Sequence, residues 1–173
     1  MRQTKKIAIS GLLVALGTVI MALGAVLEVV DLTSCALASL LVAFVYIEIG
    51  SPYTWLVWLC TSLTTFICFS GSLVWAEYLF VFGVYPLLKA YIEKLPRVFW
   101  IFIKFAYING VIWLLFLVAR LLGMSLFNGE TLIINIALYL IVNIAFFAYD
   151  MFITVLVRLY FDRFRKRFKR FLK

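Results

Sequence analysis

The sequence contains no histidine and only 8 acidic residues in 173 positions, so the side chains that most often serve as general bases and metal ligands are scarce. The 3 cysteines do not have the spacing of a zinc site. The sequence also lacks a phosphate-binding loop and any recognisable nucleophile motif. We therefore expect a protein that is not an enzyme, with no catalytic residues, no metal site and no cofactor.

Charge is scarce as well. Only 14% of the residues are charged and 66% are hydrophobic, and the mean hydropathy is +1.13. A soluble domain is roughly half apolar and a quarter charged, so lipid must form part of the solvent of this chain. Since a spanning helix needs about 20 apolar residues, the length accommodates about six spans and no separate soluble domain. Continuous apolar runs predict helices rather than a β-barrel.

The apolar runs are separated by short breaks rich in Gly, Pro, Asn and Ser. We predict an all-α fold, a six-transmembrane-helix bundle that forms a single domain over residues 1–173. The predicted spans are about 7–30, 33–49, 53–69, 73–92, 98–122 and 131–160. Residues 161–173 follow as a basic tail with phenylalanines at helical spacing, which predicts an amphipathic helix on the membrane surface. Whether this tail binds lipid only or also a protein is left open.

The net charge of +8 is concentrated in three places: the N-terminus, the segment Lys89–Arg97 and the tail. The other loops carry Glu28, Asp31 and Glu130. Because basic residues gather on the cytoplasmic side, both termini are predicted to be cytoplasmic in a multi-pass protein of the bacterial plasma membrane. This distribution is typical of membrane topology, so no nucleic-acid partner is expected.

Polar and aromatic side chains gather toward the predicted outer end of the bundle. Ionisable residues within spans are candidates for function, because charge is unfavourable in lipid. Acidic and basic groups beside aromatic rings suit a small molecule held by ion pairing and stacking. The predicted substrate-binding residues are Trp75, Glu77, Tyr78, Arg120, Asn135 and Tyr139. Two alternatives stay open: an aromatic belt at headgroup depth, and a structural ion pair between Glu77 and Arg120.

The first span carries small residues at helical spacing: Gly11, Ala15, Thr18 and Ala22. Such a face lets another helix approach closely in lipid. It indicates either internal packing within the bundle or a docking face for another membrane subunit.

Further charges lie in the predicted inner half. Lys104 of the fifth span and Asp150 of the sixth span are placed so that they can pair. Arg158 lies near the inner headgroups, where snorkelling toward water accounts for its charge.

The layout resembles the substrate-binding S-components of energy-coupling factor (ECF) transporters. The start Lys5-Lys6-Ile-Ala-Ile-Ser-Gly-Leu-Leu-Val-Ala-Leu16 is similar to the start of many S-components, with Gly11-Leu-Leu-Val-Ala15 where the family has Ala-x-x-x-Ala. The resemblance implies capture of a vitamin or other micronutrient near the outer surface. It also implies docking through the first helix onto a transmembrane coupling protein that carries two ATPases. The implied partners are thus a small-molecule substrate, membrane lipid, the coupling protein and the cytoplasmic ATPases.

Two alternatives from other classes remain. The chain can be a non-enzymatic scaffold subunit of a cell-envelope or cell-shape complex, in which the polar outer cluster is structural and the basic tail binds partners. It can also be a stand-alone uptake facilitator.

Overall fold

A computed structural model describes residues 3–27, 29–123 and 132–164 of the chain; Glu28, the loop 124–131 and the tail 165–173 lie outside the described residues. Every regular element in the described ranges is helical, which confirms the all-α prediction. The α-helices are α1 (Gln3–Leu27), α2 (Asp31–Glu48), α3 (Ser51–Cys68), α4 (Val74–Glu77), α5 (Tyr85–Ile92), α6 (Arg97–Leu121) and α7 (Leu132–Leu159). Two π-helical turns, Tyr78–Phe82 and Tyr160–Phe164, follow α4 and α7.

Four helices of the described chain are long and apolar enough to cross a membrane: Gln3–Leu27, Asp31–Glu48, Val98–Leu121 and Ile134–Arg163. Their outward faces carry many large exposed apolar side chains, which water would solvate poorly and lipid would cover. The chain is therefore consistent with a membrane protein that spans the bilayer several times. The count of six spans and the cytoplasmic position of the termini remain predictions.

The predicted third span, α3, is helical but rich in hydroxyl side chains. Thr54, Ser62, Thr64 and Thr65 each donate a hydrogen bond to the carbonyl oxygen four residues earlier in the chain, at 2.8–2.9 Å. These bonds satisfy the hydroxyl groups within the helix itself. Internally satisfied polar groups are compatible with lipid, but the buried Thr61 hydroxyl of α3 has no partner among the described residues. The third span therefore remains a prediction.

The predicted fourth span is an interrupted helix made of α4, a π-helical turn and α5. Pro86 lies in the first turn of α5. Because proline has no backbone N–H and its ring clashes with the preceding turn, the helical backbone hydrogen bonds cannot continue from α4 into α5 without a break. Side chains from other helices bind the carbonyls of the π-helical turn. The Trp58 indole N–H donates to the Leu79 carbonyl at 3.1 Å, and the Tyr107 hydroxyl donates to the Phe80 carbonyl. The Tyr149 hydroxyl of α7 also donates to the Phe82 carbonyl at 3.2 Å, so helices α3, α6 and α7 all supply donors to this irregular backbone.

Contacts between helix ends define the two ends of the bundle. The Lys6 ammonium lies 5.7 Å from the centre of the Tyr53 ring, and the Phe44 and Tyr160 rings are 5.7 Å apart. The beginnings of α1 and α3 therefore lie with the ends of α2 and α7, at what we call the terminal end. The opposite end, where α1 meets α2 and α3 meets α4, is called the far end.

The core has two parts. The first joins α1, α2, α3 and α4 around Met21, Val42 and Tyr78, which are completely buried. The second joins the π-helical turn with α5, α6 and α7 around Tyr85, Phe146 and other buried side chains. The interrupted helix contributes to both parts, so it connects the two halves of the bundle.

Candidate functional site

Glu77 closes α4 at the far end, beside the beginning of α2. The Cys35 thiol of α2 donates a long hydrogen bond of 3.6 Å to the Val74 carbonyl, which ties the two helices together. The Asp31 carboxylate lies close enough for its negative charge to repel that of Glu77. One carboxylate oxygen of Glu77, Oε2, is buried and has no hydrogen-bond partner in the described chain. Among the described residues, the far end therefore holds a buried acidic side chain that has no basic partner.

Trp75 and Tyr78 lie on the same segment as Glu77. The Trp75 ring packs edge-on against Phe66 of α3 with ring centres 4.8 Å apart, and its indole N–H is buried without an acceptor among the described residues. Tyr78 is completely buried, and its hydroxyl has no hydrogen-bond partner among the described residues. These three residues are therefore neighbours because they are adjacent in sequence, and their side chains meet different helices: Trp75 packs on α3, and Glu77 lies toward α2.

Arg120 lies in the last turn of α6 and is exposed. Among the ion pairs of the described residues, none joins Arg120 to Glu77. The structural alternative for these two residues, a mutual ion pair, is therefore absent from the described structure, and Glu77 is left without a basic partner.

Asn135 and Tyr139 share a face of α7, but their environments differ. The Tyr139 hydroxyl donates a hydrogen bond to Asn109 Oδ1 of α6, so this side chain bridges the last two helices. The side-chain oxygen of Asn135 is buried and has no partner among the described residues. The side-chain oxygen of Asn143, two turns later on α7, is also buried without a partner among the described residues, although its amide group donates to the Tyr139 carbonyl at 3.0 Å.

The small residues of α1 divide between two faces. The buried face consists of Ser10, Leu13, Gly17, Met21 and Gly24. By contrast, Gly11 and Ala15 are exposed, and a Cβ atom added at Gly11 would meet nothing within 4 Å. Thr18 and Ala22 are partly buried, and the Thr18 hydroxyl lies 2.8 Å from that of Thr64 on α3. Internal packing therefore does not use the Gly11 and Ala15 positions.

A buried charge network lies toward the terminal end, between α5, α6 and α7. The Lys104 ammonium donates to Asp150 Oδ2 at 2.6 Å, which confirms the pair predicted from the sequence. The Lys89 ammonium binds Asp150 Oδ1 and also donates to the Asp150 carbonyl oxygen at 3.1 Å. Both lysines are only 6% exposed. The completely buried Tyr85 donates a hydrogen bond from its hydroxyl to Asp150 Oδ1 at 2.6 Å.

Glu93, one turn after Lys89, completes this network. Its Oε1 atom lies 3.1 Å from the Lys89 ammonium and 3.8 Å from that of Lys104. Two lysines thus face two acids. No local pattern indicates the participation of Lys89, which begins the basic segment Lys89–Arg97. Its acidic partner Asp150 lies on α7, about 60 residues later in the chain.

A cavity of about 350 Å³ lies beside this network, at the terminal end between α2, α5 and α7. Its charged lining residues are Lys89, Glu93 and Arg158. The remaining wall is formed mainly by apolar side chains from all three helices.

The described residues thus form an all-helical structure with four helices long and apolar enough to span a membrane, an acid without a basic partner at one end and a balanced charge network toward the other. Comparison of the chain with protein-family models, with curated proteins and with solved structures finds no significant match. The function is therefore argued below from the residues of this chain.

Proposed function

We propose that this chain is the substrate-binding subunit of an uptake system of the ECF type, and that it captures a small cationic molecule at the far end of a six-span bundle. In this proposal the far end faces the outside, because the basic segments of the sequence lie at the terminal end, and basic segments favour the cytoplasm. The system would be completed by a transmembrane coupling protein and cytoplasmic ATPases.

The observation that carries the proposal is the unpartnered carboxylate oxygen of Glu77. A buried carboxyl oxygen without a partner is unfavourable, and the ionised form of the group is strongly unfavourable, more so in lipid than in a soluble protein. The nearby Asp31 charge increases this penalty, because like charges repel. A positively charged ligand relieves both effects at once, whereas an anion is repelled.

A further group supports a ligand with both a charge and hydrogen-bond acceptors. The buried indole N–H of Trp75, two residues before Glu77, has no acceptor among the described residues. A nitrogen-containing heteroaromatic cation provides all of these: a positive charge, ring acceptors and a flat surface that stacks on aromatic side chains. Cationic vitamins and related heteroaromatic amines belong to this class.

The ligand site is tested by replacing Glu77 with glutamine. Because a charge-assisted hydrogen bond contributes about 1.5–3 kcal/mol, we expect affinity for a cationic ligand to fall roughly 10- to 100-fold. The measurement is the ligand-induced shift in unfolding temperature of the purified protein, across a panel of cationic, neutral and anionic vitamins. Asp162→Asn, which removes an exposed acid near the terminal end, is the matched control. Unchanged ligand shifts in the Glu77 variant would show that the site is wrong.

The docking part of the proposal is tested at Gly11. We expect Gly11→Leu to leave the fold and ligand binding intact, because the position is open, but to abolish association with the coupling protein, because close helix approach in lipid needs small residues. The control is Gly110→Leu, since Gly110 is also exposed with nothing near its Cβ position. Co-purification from the native membrane is the measurement. Recovery of cell-envelope proteins in place of ATPases would favour the scaffold alternative.

A further inference from the structure

The charged residues that line the terminal-end cavity, counted with the ion-pair partners of Lys89, carry more positive than negative charge. Lys89 and Lys104 are balanced by Asp150 and Glu93, which contact them directly. Arg158 is the remaining charged residue that lines the cavity. It is exposed and forms no ion pair with any residue that the structure describes. The cavity therefore has one positive charge in excess, held by a side chain that is free to bind an anion.

The walls of the same cavity are largely apolar. They include Ala43 and Ile47 of α2, Pro86 of α5, and Ile153 and Val157 of α7. A small inorganic anion at Arg158 would leave these walls without a partner. The volume of about 350 Å³ lies within the range of about 300–1,000 Å³ that small-molecule sites occupy. The cavity thus suits a molecule with one anionic group and an apolar chain.

We propose that this cavity binds an anionic phospholipid of the adjacent leaflet, with its phosphate at Arg158 and part of an acyl chain against the apolar wall. A guanidinium is well matched to a phosphate, because its planar N–H groups donate two parallel hydrogen bonds. Basic pockets between membrane helices recognise lipid headgroups in this way. The surrounding bilayer supplies the lipid at high local concentration. Lys89 and Glu93 of the buried charge network form one side of the site.

The proposal is tested by native mass spectrometry of delipidated full-length protein titrated with phosphatidylglycerol or phosphatidylcholine. We expect one phosphatidylglycerol to bind about tenfold more tightly than phosphatidylcholine, the effect of one charge-assisted contact. Arg158→Gln should remove this preference. Arg120→Gln, which removes an exposed arginine from the far end, should retain it. The tail is present in every variant, so lipid that it attracts contributes equally to all of them. Equal binding of the two lipids by the unaltered protein overturns the proposal.

A second variant separates the cavity from simple surface charge. Ala43→Phe fills the cavity from the α2 side and leaves Arg158 in place; Ala90→Phe does so from α5 if the first variant does not fold. Either filled variant should lose the tightly bound phosphatidylglycerol. Retention of the lipid in a folded, filled variant contradicts the proposal.

Inorganic phosphate is the third probe. Displacement of the lipid by equimolar phosphate would show that the cavity is a site for free anions and would overturn the lipid assignment.

Discussion

Replacing Asp150 with asparagine is expected to lower the free energy of unfolding by about 3–5 kcal/mol, the usual effect of removing one partner from a buried ion pair. Asp150 receives hydrogen bonds from Lys89, Lys104 and Tyr85. After the substitution, Glu93 is the one acid left in the network to balance two lysines that are almost completely buried. The measurement is thermal or denaturant unfolding of the purified protein in detergent.

A double variant shows whether charge imbalance causes this loss. Adding Lys104→Gln to Asp150→Asn leaves one lysine and one acid, Lys89 and Glu93, which lie 3.1 Å apart. We expect the double variant to regain most of the lost stability, whereas Lys104→Gln alone should be destabilising. If the stability loss of the double variant equalled the sum of the losses in the two single variants, the lysine and the aspartate would act independently, contrary to the network described here.

Replacing Gly83 with alanine is expected to lower the free energy of unfolding by about 1–3 kcal/mol, the range for overpacking a closely packed core. A Cβ atom at this position would lie 2.7 Å from Cδ1 of Trp58 and 2.8 Å from the Tyr78 carbonyl oxygen. The backbone oxygen cannot move freely, and Trp58 is held by its bond to Leu79. The interrupted helix would have to shift away from α3, and the unfolding temperature measures the effect.

Gly110→Ala is the matched control, because a Cβ atom at Gly110 in α6 would meet nothing within 4 Å. Within a helix, alanine is more favourable than glycine by about 0.5–1 kcal/mol, so this variant should be neutral or slightly more stable. An equal loss at both positions would mean that the close approach at Gly83 does not limit packing.

The sequence predicts the helical class and one of the central ion pairs correctly, and the reasons are physical. The apolar composition alone predicts helices that are compatible with lipid. Lys104 and Asp150 carry opposite charges at a similar predicted depth, and such charges pair with each other in an apolar environment. Lys89 was not assigned to that pair because its basic neighbours in sequence are typical of a cytoplasmic loop. Its burial depends on how α5 is turned against α7, which is a property of tertiary packing.

The interruption of the fourth segment could be predicted only in part. Pro86 indicates a break, but the donors that satisfy the π-helical turn, Trp58 and Tyr107, are distant in sequence. Likewise, the sequence places Glu77 among candidate ligand-binding residues from its type and depth. Whether Arg120 pairs with it depends on the separation of α4 and α6, which no local pattern encodes.

The interrupted helix also constrains the order in which the chain can be assembled during synthesis. The carbonyl oxygen of Leu79 is satisfied by Trp58, which the ribosome makes earlier, but that of Phe80 is satisfied by Tyr107, which emerges later. Lipid does not tolerate irregular backbone with unsatisfied polar groups. The carbonyl of Phe82 likewise accepts from Tyr149 of α7 at 3.2 Å. The segment between α4 and α5 therefore acquires its full set of side-chain donors only after both α6 and α7 have been synthesised.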